Sequence, residues 1–355
     1  MIKKHGGNVH DFAKRMNLTL DQIIDFSANI NPLGMSKAVE AGIREVLTTC
    51  LHYPDPDYRD LLAAISQHEG VREENVILGN GAIECLFLLA EHMGLAHVHM
   101  QAPTFVEYER AFKKYGSRVT FDFLNHETFK NSPEDIIGGM PQEADLLVIC
   151  NPNNPTGSLM TREEMISLLD YTRQRDMYLL VDEAFIDFTE DEKTYSLVDM
   201  IEDNPHLIIL KSLTKFYGIP GLRLGYCLTA NKVLTTQIKN NRIPWIINTV
   251  AEKAGILSLG DKAYIEATKT YMIRERQWMY DEMITLEGID VFPSQGNYFF
   301  FKCLKKDLKQ ALAHKGLMIR ACDNYRGLSD SYYRVAVKDH ESNQVLIKAL
   351  RQVLT

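Results

Sequence analysis

Short apolar runs alternate with helical periodicity through the first two-thirds of the chain. Residues 76–78, 98–101, 119–123, 146–150, 178–181, 207–210 and 224–228 have the look of buried strands. Between them, helical patterns run over residues 83–92, 106–115 and 162–173. Strands separated by helical crossovers predict an α/β fold: a mostly parallel central sheet sandwiched by helices. After about residue 229 the pattern changes. A long helical stripe at 261–286 precedes strands at 289–292, 297–302, 317–319 and 332–337, with helices at 306–314 and 342–353. That mixture predicts a smaller α+β unit. The expected organisation is an N-terminal arm at 1–30 packing with the small domain, a large domain at 31–235 and a small domain at 236–355.

The arm opens on His5-Gly6-Gly7-Asn8, continues through a helical pattern at 9–16 and ends in Asp25-Phe26-Ser27-Ala28-Asn29-Ile30-Asn31-Pro32-Leu33-Gly34. A helix is expected at 36–48, followed by a proline-rich loop at 51–58 that carries Tyr53 and Tyr58. Composition changes little in this picture but removes several classes. A net charge of -8 over 355 residues argues against nucleic acid or an anionic membrane as the main partner. No signal-peptide pattern opens the chain and no apolar run approaches bilayer length, so a cytoplasmic location is expected. The six cysteines lack CxxC spacing, which predicts reduced core residues and no metal site.

The densest chemistry follows the 207–210 run: Ser212, Lys215 and Arg223, with Gly218 and Gly221 freeing the backbone. A lysine flanked by a hydroxyl three residues before and an arginine eight residues after suits pyridoxal phosphate. The amine condenses with the aldehyde while serine and arginine hold the phosphate dianion. Serine-x-x-lysine also occurs in penicillin-binding enzymes, but their partner motifs are missing; only Ser329-Asp330-Ser331 comes near. Gly79-Asn80-Gly81-Ala82 opens a helix after a strand, where free N–H groups and the helix dipole favour a phosphate. A dinucleotide fingerprint would need glycine where Glu84 stands. Phe105 follows the next strand and can stack on a flat ring. Two prolines hold Asn154 in Asn151-Pro152-Asn153-Asn154-Pro155-Thr156-Gly157, so its amide can donate to a phenolate oxygen. Asp182 ends another strand, where a carboxylate can keep a pyridine nitrogen protonated.

With these motifs assembled, the chain resembles the fold-type I pyridoxal phosphate enzymes of the aspartate aminotransferase superfamily from the arm to the C-terminus. The resemblance implies Lys215 as the cofactor lysine, Asp182 on the ring nitrogen and Asn154 on the ring oxygen. Ser212, Arg223 and the backbone of Gly81 and Ala82 fall on the phosphate ligands, and Phe105 on the stacking ring. Tyr53 matches a tyrosine that such enzymes lend to the phosphate of the neighbouring subunit, which implies a homodimer. Phe185 stands where many members have tyrosine, leaving Asn154 alone on the ring oxygen. Arg334 matches the substrate-carboxylate arginine, and Arg320 is a second cation nearby in sequence. Two arginines suit a substrate with two anionic groups.

Within the superfamily, the arm and the Asp182–Phe188 run resemble threonine-phosphate decarboxylases of cobalamin synthesis more than histidinol-phosphate aminotransferases. The implied reaction is decarboxylation of L-threonine O-3-phosphate to (R)-1-amino-2-propanol O-2-phosphate, with His5, Asn31 and Asn154 also touching substrate. Transamination of histidinol phosphate and decarboxylation of L-serine O-phosphate are the alternatives. A non-catalytic binding protein is a third, against which the intact lysine, aspartate and arginine argue.

Overall fold

Seven strands form one sheet in the computed structural model, which describes residues 6–354. Their order across the sheet is Val76–Gly79, Gly225–Leu228, Leu207–Ser212, Tyr178–Asp182, Leu146–Cys150, His97–Ala102 and Arg118–Phe123. Only Gly225–Leu228 runs antiparallel to its neighbours; the other pairings are parallel. The buried runs expected from the sequence are continuous because both faces are covered. Leu147, Ile149, Leu179, Val181, Leu207 and Ile209 enter one core, while the alternating Leu146, Val148, Leu180, Ile208 and Leu210 enter the other.

Helices Ala82–His92, Glu107–Lys114 and Lys232–Asn241 supply side chains to the second of these cores. Helix Arg162–Gln174, held by a capping box between Thr161 and Glu164, covers the first with Met165, Leu168 and Leu169. Helices at Arg59–Glu69, Pro133–Gly139, Lys232–Asn241 and Thr249–Gly260 were not expected from the pattern. Thr249–Gly260 packs against both Lys37–Val46 and Arg59–Glu69, so its side chains are apolar on more than one face and the 3.6-residue signal fades. The approach is close. A Cβ at Gly42 would lie 2.1 Å from Leu257, and one at Gly255 would lie 2.4 Å from Leu224.

A second sheet, entirely antiparallel, has the order Arg320–Ala321, Tyr332–Ala336, Tyr298–Cys303, Ile289–Phe292. The arm joins this part of the chain. Helix Val9–Met16, capped by Asn8, precedes the short strand Ile24–Asp25, which pairs in parallel with Leu317–Met318. Beyond it, Phe26 bonds Met318 and Ala336 through its backbone at 2.8 Å each, so residues 26–31 run from the second sheet toward the first. No helix among the described residues is long and apolar enough to cross a membrane.

Asn31 closes this crossing and corrects an expectation. It was anticipated as a substrate ligand, but its Nδ2 donates to the Phe216 carbonyl (2.6 Å), Tyr264 Oη (2.9 Å) and Thr268 Oγ1 (2.9 Å). Its backbone N–H donates to the Lys215 carbonyl at 3.0 Å, and its Oδ1 accepts from Leu33. Its two amide hydrogens are engaged and the side chain does not line the chamber. Asn31 instead fastens the arm, the Lys215 segment and helix Lys262–Met283 together behind the lysine.

Candidate active site

The parallel strands deliver their carboxyl ends to one edge, where ligands bind in open α/β sheets. Cys150, Asp182 and Leu210 are direct cross-strand partners, so the loops carrying Asn154, Glu183 and Lys215 leave the sheet at one level. There Ala82, Phe105, Asn154, Asp182, Ser212, Lys215 and Arg223 line a single cavity together with Tyr108 and Thr214. A wider chamber continues from it past Gly6, Asn29, Arg320, Tyr325 and Arg334.

One wall is a cradle for an anion. Gly81 precedes helix Ala82–His92 with φ +85° and no side chain caps the helix, leaving its first N–H groups without an internal partner. A Cβ on Gly81 would sit 2.3 Å from Arg223 Nη2, and one on Gly225 would sit 2.3 Å from the Ala82 nitrogen. Glycine at both positions therefore lets the guanidinium, the helix end and the antiparallel strand converge. Arg223 itself has left-handed backbone (φ +60°), a strained conformation for a side-chain-bearing residue and one that collects at functional sites. Ser212 Oγ lies 2.8 Å from Thr214 Oγ1, which also accepts from Lys215 Nζ at 2.9 Å. Hydroxyl, guanidinium and uncapped helix form the donor set that a phosphate dianion requires.

Asp182 is buried, and burial raises its pKa above the ordinary 3.8. Opposing that, Tyr108 Oη donates to its Oδ2 at 2.5 Å and the Ala184 N–H to its Oδ1 at 2.9 Å, with Lys215 adding attraction. Tyr108 was missed in the sequence. Its phenol, held above its ordinary value by burial and then by Asp182, remains a donor across the whole working range. Phe105 lies edge-on to Tyr108 with ring centroids 5.6 Å apart, so the aspartate's donor also supports the ring expected to stack.

Lys215 is shifted the other way. Burial foremost, then the Arg223 charge, with a smaller contribution from Arg334, lowers its amine from 10.5 to about 8 against the pull of Asp182. At pH 7 roughly a tenth of the amine is then free base, the form that acts as a nucleophile, far more than at an ordinary lysine.

Asn154 Oδ1 accepts from Arg334 Nη1 (2.5 Å) and Tyr325 Oη (3.2 Å), which leaves its amide donors for a ligand. Arg334 is buried. Its Nη2 donates to the Ser27 carbonyl at 2.9 Å and its Nε has no partner among the described residues. Arg320 donates to Asn324 Oδ1 at 2.7 Å and lies over the Tyr325 ring. Asn29, two residues before the asparagine anticipated from the sequence, is 3% exposed with neither amide atom paired among the described residues. An unpaired buried amide costs about 1–3 kcal/mol, which makes Asn29 rather than Asn31 the candidate ligand residue of the arm. The arm passes close by: Gly7 N–H donates to Ser27 Oγ at 2.8 Å, and a Cβ on Gly6 would collide with the Ser27 carbonyl. His5 lies outside the described residues. Tyr53 is 79% exposed, stacks on Trp245 at 4.5 Å and does not line its own chain's cavity.

Competitive labelling with acetic anhydride, quantified by mass spectrometry on the cofactor-free protein, tests the amine. Labelling of Lys215 should rise through a midpoint near pH 8, and replacing Arg223 with Gln should move that midpoint upward by removing a neighbouring positive charge. A midpoint at the ordinary 10.5 would contradict this balance of burial and charge.

Comparison with known proteins agrees with this geometry. The chain is 36% identical over 353 residues to threonine-phosphate decarboxylase of Salmonella typhimurium, spanning 99% of this chain and 96% of that protein. Among solved structures, histidinol-phosphate aminotransferase from Clostridium acetobutylicum superposes with a TM-score of 0.88 at 34% identity, covering 94% of this chain and 99% of that one. L-threonine-O-3-phosphate decarboxylase from Porphyromonas gingivalis gives 0.83 at 28% identity, covering the same shares. Residues 21–350 match the family described as aminotransferase class I and II, and the chain belongs to that family.

Proposed function

We propose that this protein is a pyridoxal phosphate-dependent decarboxylase acting on L-threonine O-3-phosphate, yielding (R)-1-amino-2-propanol O-2-phosphate and CO2. The observation that carries the reading is the pair of buried arginines, Arg320 and Arg334, in the chamber shared with Lys215. Two buried guanidinium groups, beside the unpaired amide of Asn29, suit a substrate with both a carboxylate and a phosphate. Histidinol phosphate itself offers one anionic group, while its acceptor 2-oxoglutarate offers two, so the arginines are joined by a second line of support. The 36% identity to the Salmonella typhimurium decarboxylase along nearly the whole chain supports the same choice.

In this reading Ser212, Arg223 and the Ala82 N–H at the uncapped helix end would hold the cofactor phosphate, and Phe105 would cover one ring face; the Gly81 N–H is engaged by the Gly79 carbonyl at 2.7 Å. Asp182 would keep a proton on the ring nitrogen, and the free amide of Asn154 would donate to the ring oxygen. When bound, pyridoxal phosphate supplies an electron sink for whichever Cα bond stands perpendicular to its ring. Arg320, Arg334 and Asn29 orient the substrate so that the carboxylate bond takes that place. Lys215 would hold the cofactor through Nζ, and the same amine, when free, would be placed to carry a proton to the substrate Cα. We further propose a homodimer, acting in the cytoplasm, in which Tyr53 reaches the partner subunit's cofactor phosphate. The exposed apolar side chains Leu47, Leu51, Tyr53, Ile243 and Trp245 support that assembly.

A second reading, histidinol-phosphate aminotransferase, is favoured by the 0.88 superposition on that enzyme. A substrate panel read in parallel for CO2 and keto acid separates the two. Threonine phosphate should release CO2 with no keto-acid acceptor present, and Asn29→Ala should slow that release at least tenfold. Transfer from histidinol phosphate to 2-oxoglutarate with no CO2 from threonine phosphate would overturn the proposal.

Tyr108→Phe isolates the support given to Asp182. It removes a hydrogen bond to a charged group, worth ~1.5–3 kcal/mol, and should weaken pyridoxal phosphate binding about ten- to hundredfold in equilibrium dialysis with circular dichroism unchanged. Unaltered cofactor affinity would show that Asp182 holds its charge without the phenol.

A further inference from the structure

The loop at 322–331 joins strand Arg320–Ala321 to its antiparallel neighbour Tyr332–Ala336 and forms one wall of the substrate chamber. Two of its residues face inward. Tyr325 donates to Asn154 and Asn324 accepts from Arg320 at 2.7 Å, so the loop sets the position of an arginine and of a phenol. The next residue faces the other way. Arg326 Nη2 reaches helix Glu107–Lys114 and pairs with Glu109 Oε1 at 2.6 Å, where Lys113 Nζ also bonds at 2.7 Å. Its guanidinium lies 4.3 Å over the Phe121 ring, and Gly327 follows at φ +83° with room for no side chain, since a Cβ would meet the Phe123 ring at 2.8 Å.

That helix begins just after Phe105 and carries Tyr108, the donor to Asp182. The Arg326–Glu109 contact therefore ties the wall bearing Arg320 and Tyr325 to the wall bearing Phe105 and Tyr108. We propose that this ion pair is a positioning latch that sets the distance between the substrate-anion wall and the cofactor wall. Neither residue lines the chamber's inner part, where Lys215 and Asp182 sit. The latch acts first on substrate binding, through Arg320 and Tyr325, because Asp182 keeps its own hydrogen bonds from Tyr108 and Ala184. Glu109 is 14% and Arg326 42% exposed, so the pair is open enough for salt to weaken it, while Phe121 and the second cation Lys113 hold it in one geometry.

The inference rests on the decarboxylase reading for its substrate and on the geometry alone for its loop, and the test separates the two. With the holoenzyme, KM and kcat for L-threonine O-3-phosphate are measured at low and high salt for wild type, Arg326→Ala, Glu109→Gln, the double variant and Arg326→Lys. Hydrogen exchange of peptides spanning 322–331 is followed by mass spectrometry alongside. Each single variant should raise KM about three- to tenfold with kcat and cofactor affinity within twofold. The double variant should add nothing further, Arg326→Lys should fall between, and salt should raise the wild-type KM by a larger factor than that of the variants, in which only substrate binding itself is screened. Exchange in the loop should quicken in Arg326→Ala and Glu109→Gln with the unfolding midpoint unchanged. Unaltered KM at both salt levels with unaltered exchange, or additive effects in the double variant, would overturn the latch. A wild type that releases no CO2 would overturn the substrate reading instead, and the exchange data would still decide the latch.

Discussion

Four cations at one edge of a parallel sheet are the constraint on which the rest of this structure depends. Lys215, Arg223, Arg320 and Arg334 share a connected chamber in a chain whose net charge is -8. Arg320 and Arg334 are buried and Arg223 is exposed; of the two carboxylates in the lining, Asp182 attracts Lys215, while Glu107 pairs with a further lining cation, Arg110, so the positive charge is only partly met. The depressed Lys215 pKa expresses that imbalance directly, since burial and the Arg223 charge both act against its proton. A cofactor phosphate at the helix end and a doubly anionic substrate at the far arginines would each offset part of it. The site is thus poised for ligands by the same charges that make the amine reactive.

The fold makes this arrangement economical. Strand ends in register deliver Asn154, Asp182 and Lys215 from three neighbouring loops, and the antiparallel strand Gly225–Leu228 returns Arg223 to the same edge. Pairing of Arg334 with Asn154 then links the wider chamber to the inner cavity through one amide oxygen. Decarboxylation and transamination begin with the same displacement of the lysine and differ in which Cα bond is held perpendicular. In the proposed reading, the placement of Arg320, Arg334 and Asn29 decides which bond that is, so a shared fold does not by itself fix the reaction.

Much of the site was legible because each motif is local. Ser212, Lys215 and Arg223 lie within one turn-rich stretch, and Asn154 and Asp182 each follow an apolar run whose strand was plain. The seven strands were also readable, since each is a short run buried on both faces. What could not be read depends on contacts between distant segments. Asn29 and Asn31 stand two residues apart in one motif, and nothing local distinguishes them. Asn31 turns away from the chamber because the Phe216 carbonyl and Thr268, far along the chain, engage its amide. Nothing in the local sequence marks Tyr108 or Tyr325; only the fold sets their hydroxyls on Asp182 and Asn154. The unexpected helix Thr249–Gly260 lacked a polar face because two other helices cover it.

Reduction of the holoenzyme with borohydride, followed by digestion and mass spectrometry, tests the central claim most directly, because it fixes the cofactor to whichever amine holds it. The pyridoxyl mass should appear on the peptide containing Lys215 and vanish in Lys215→Ala. A label on the nearby buried Lys211, or none on either lysine, would contradict the account.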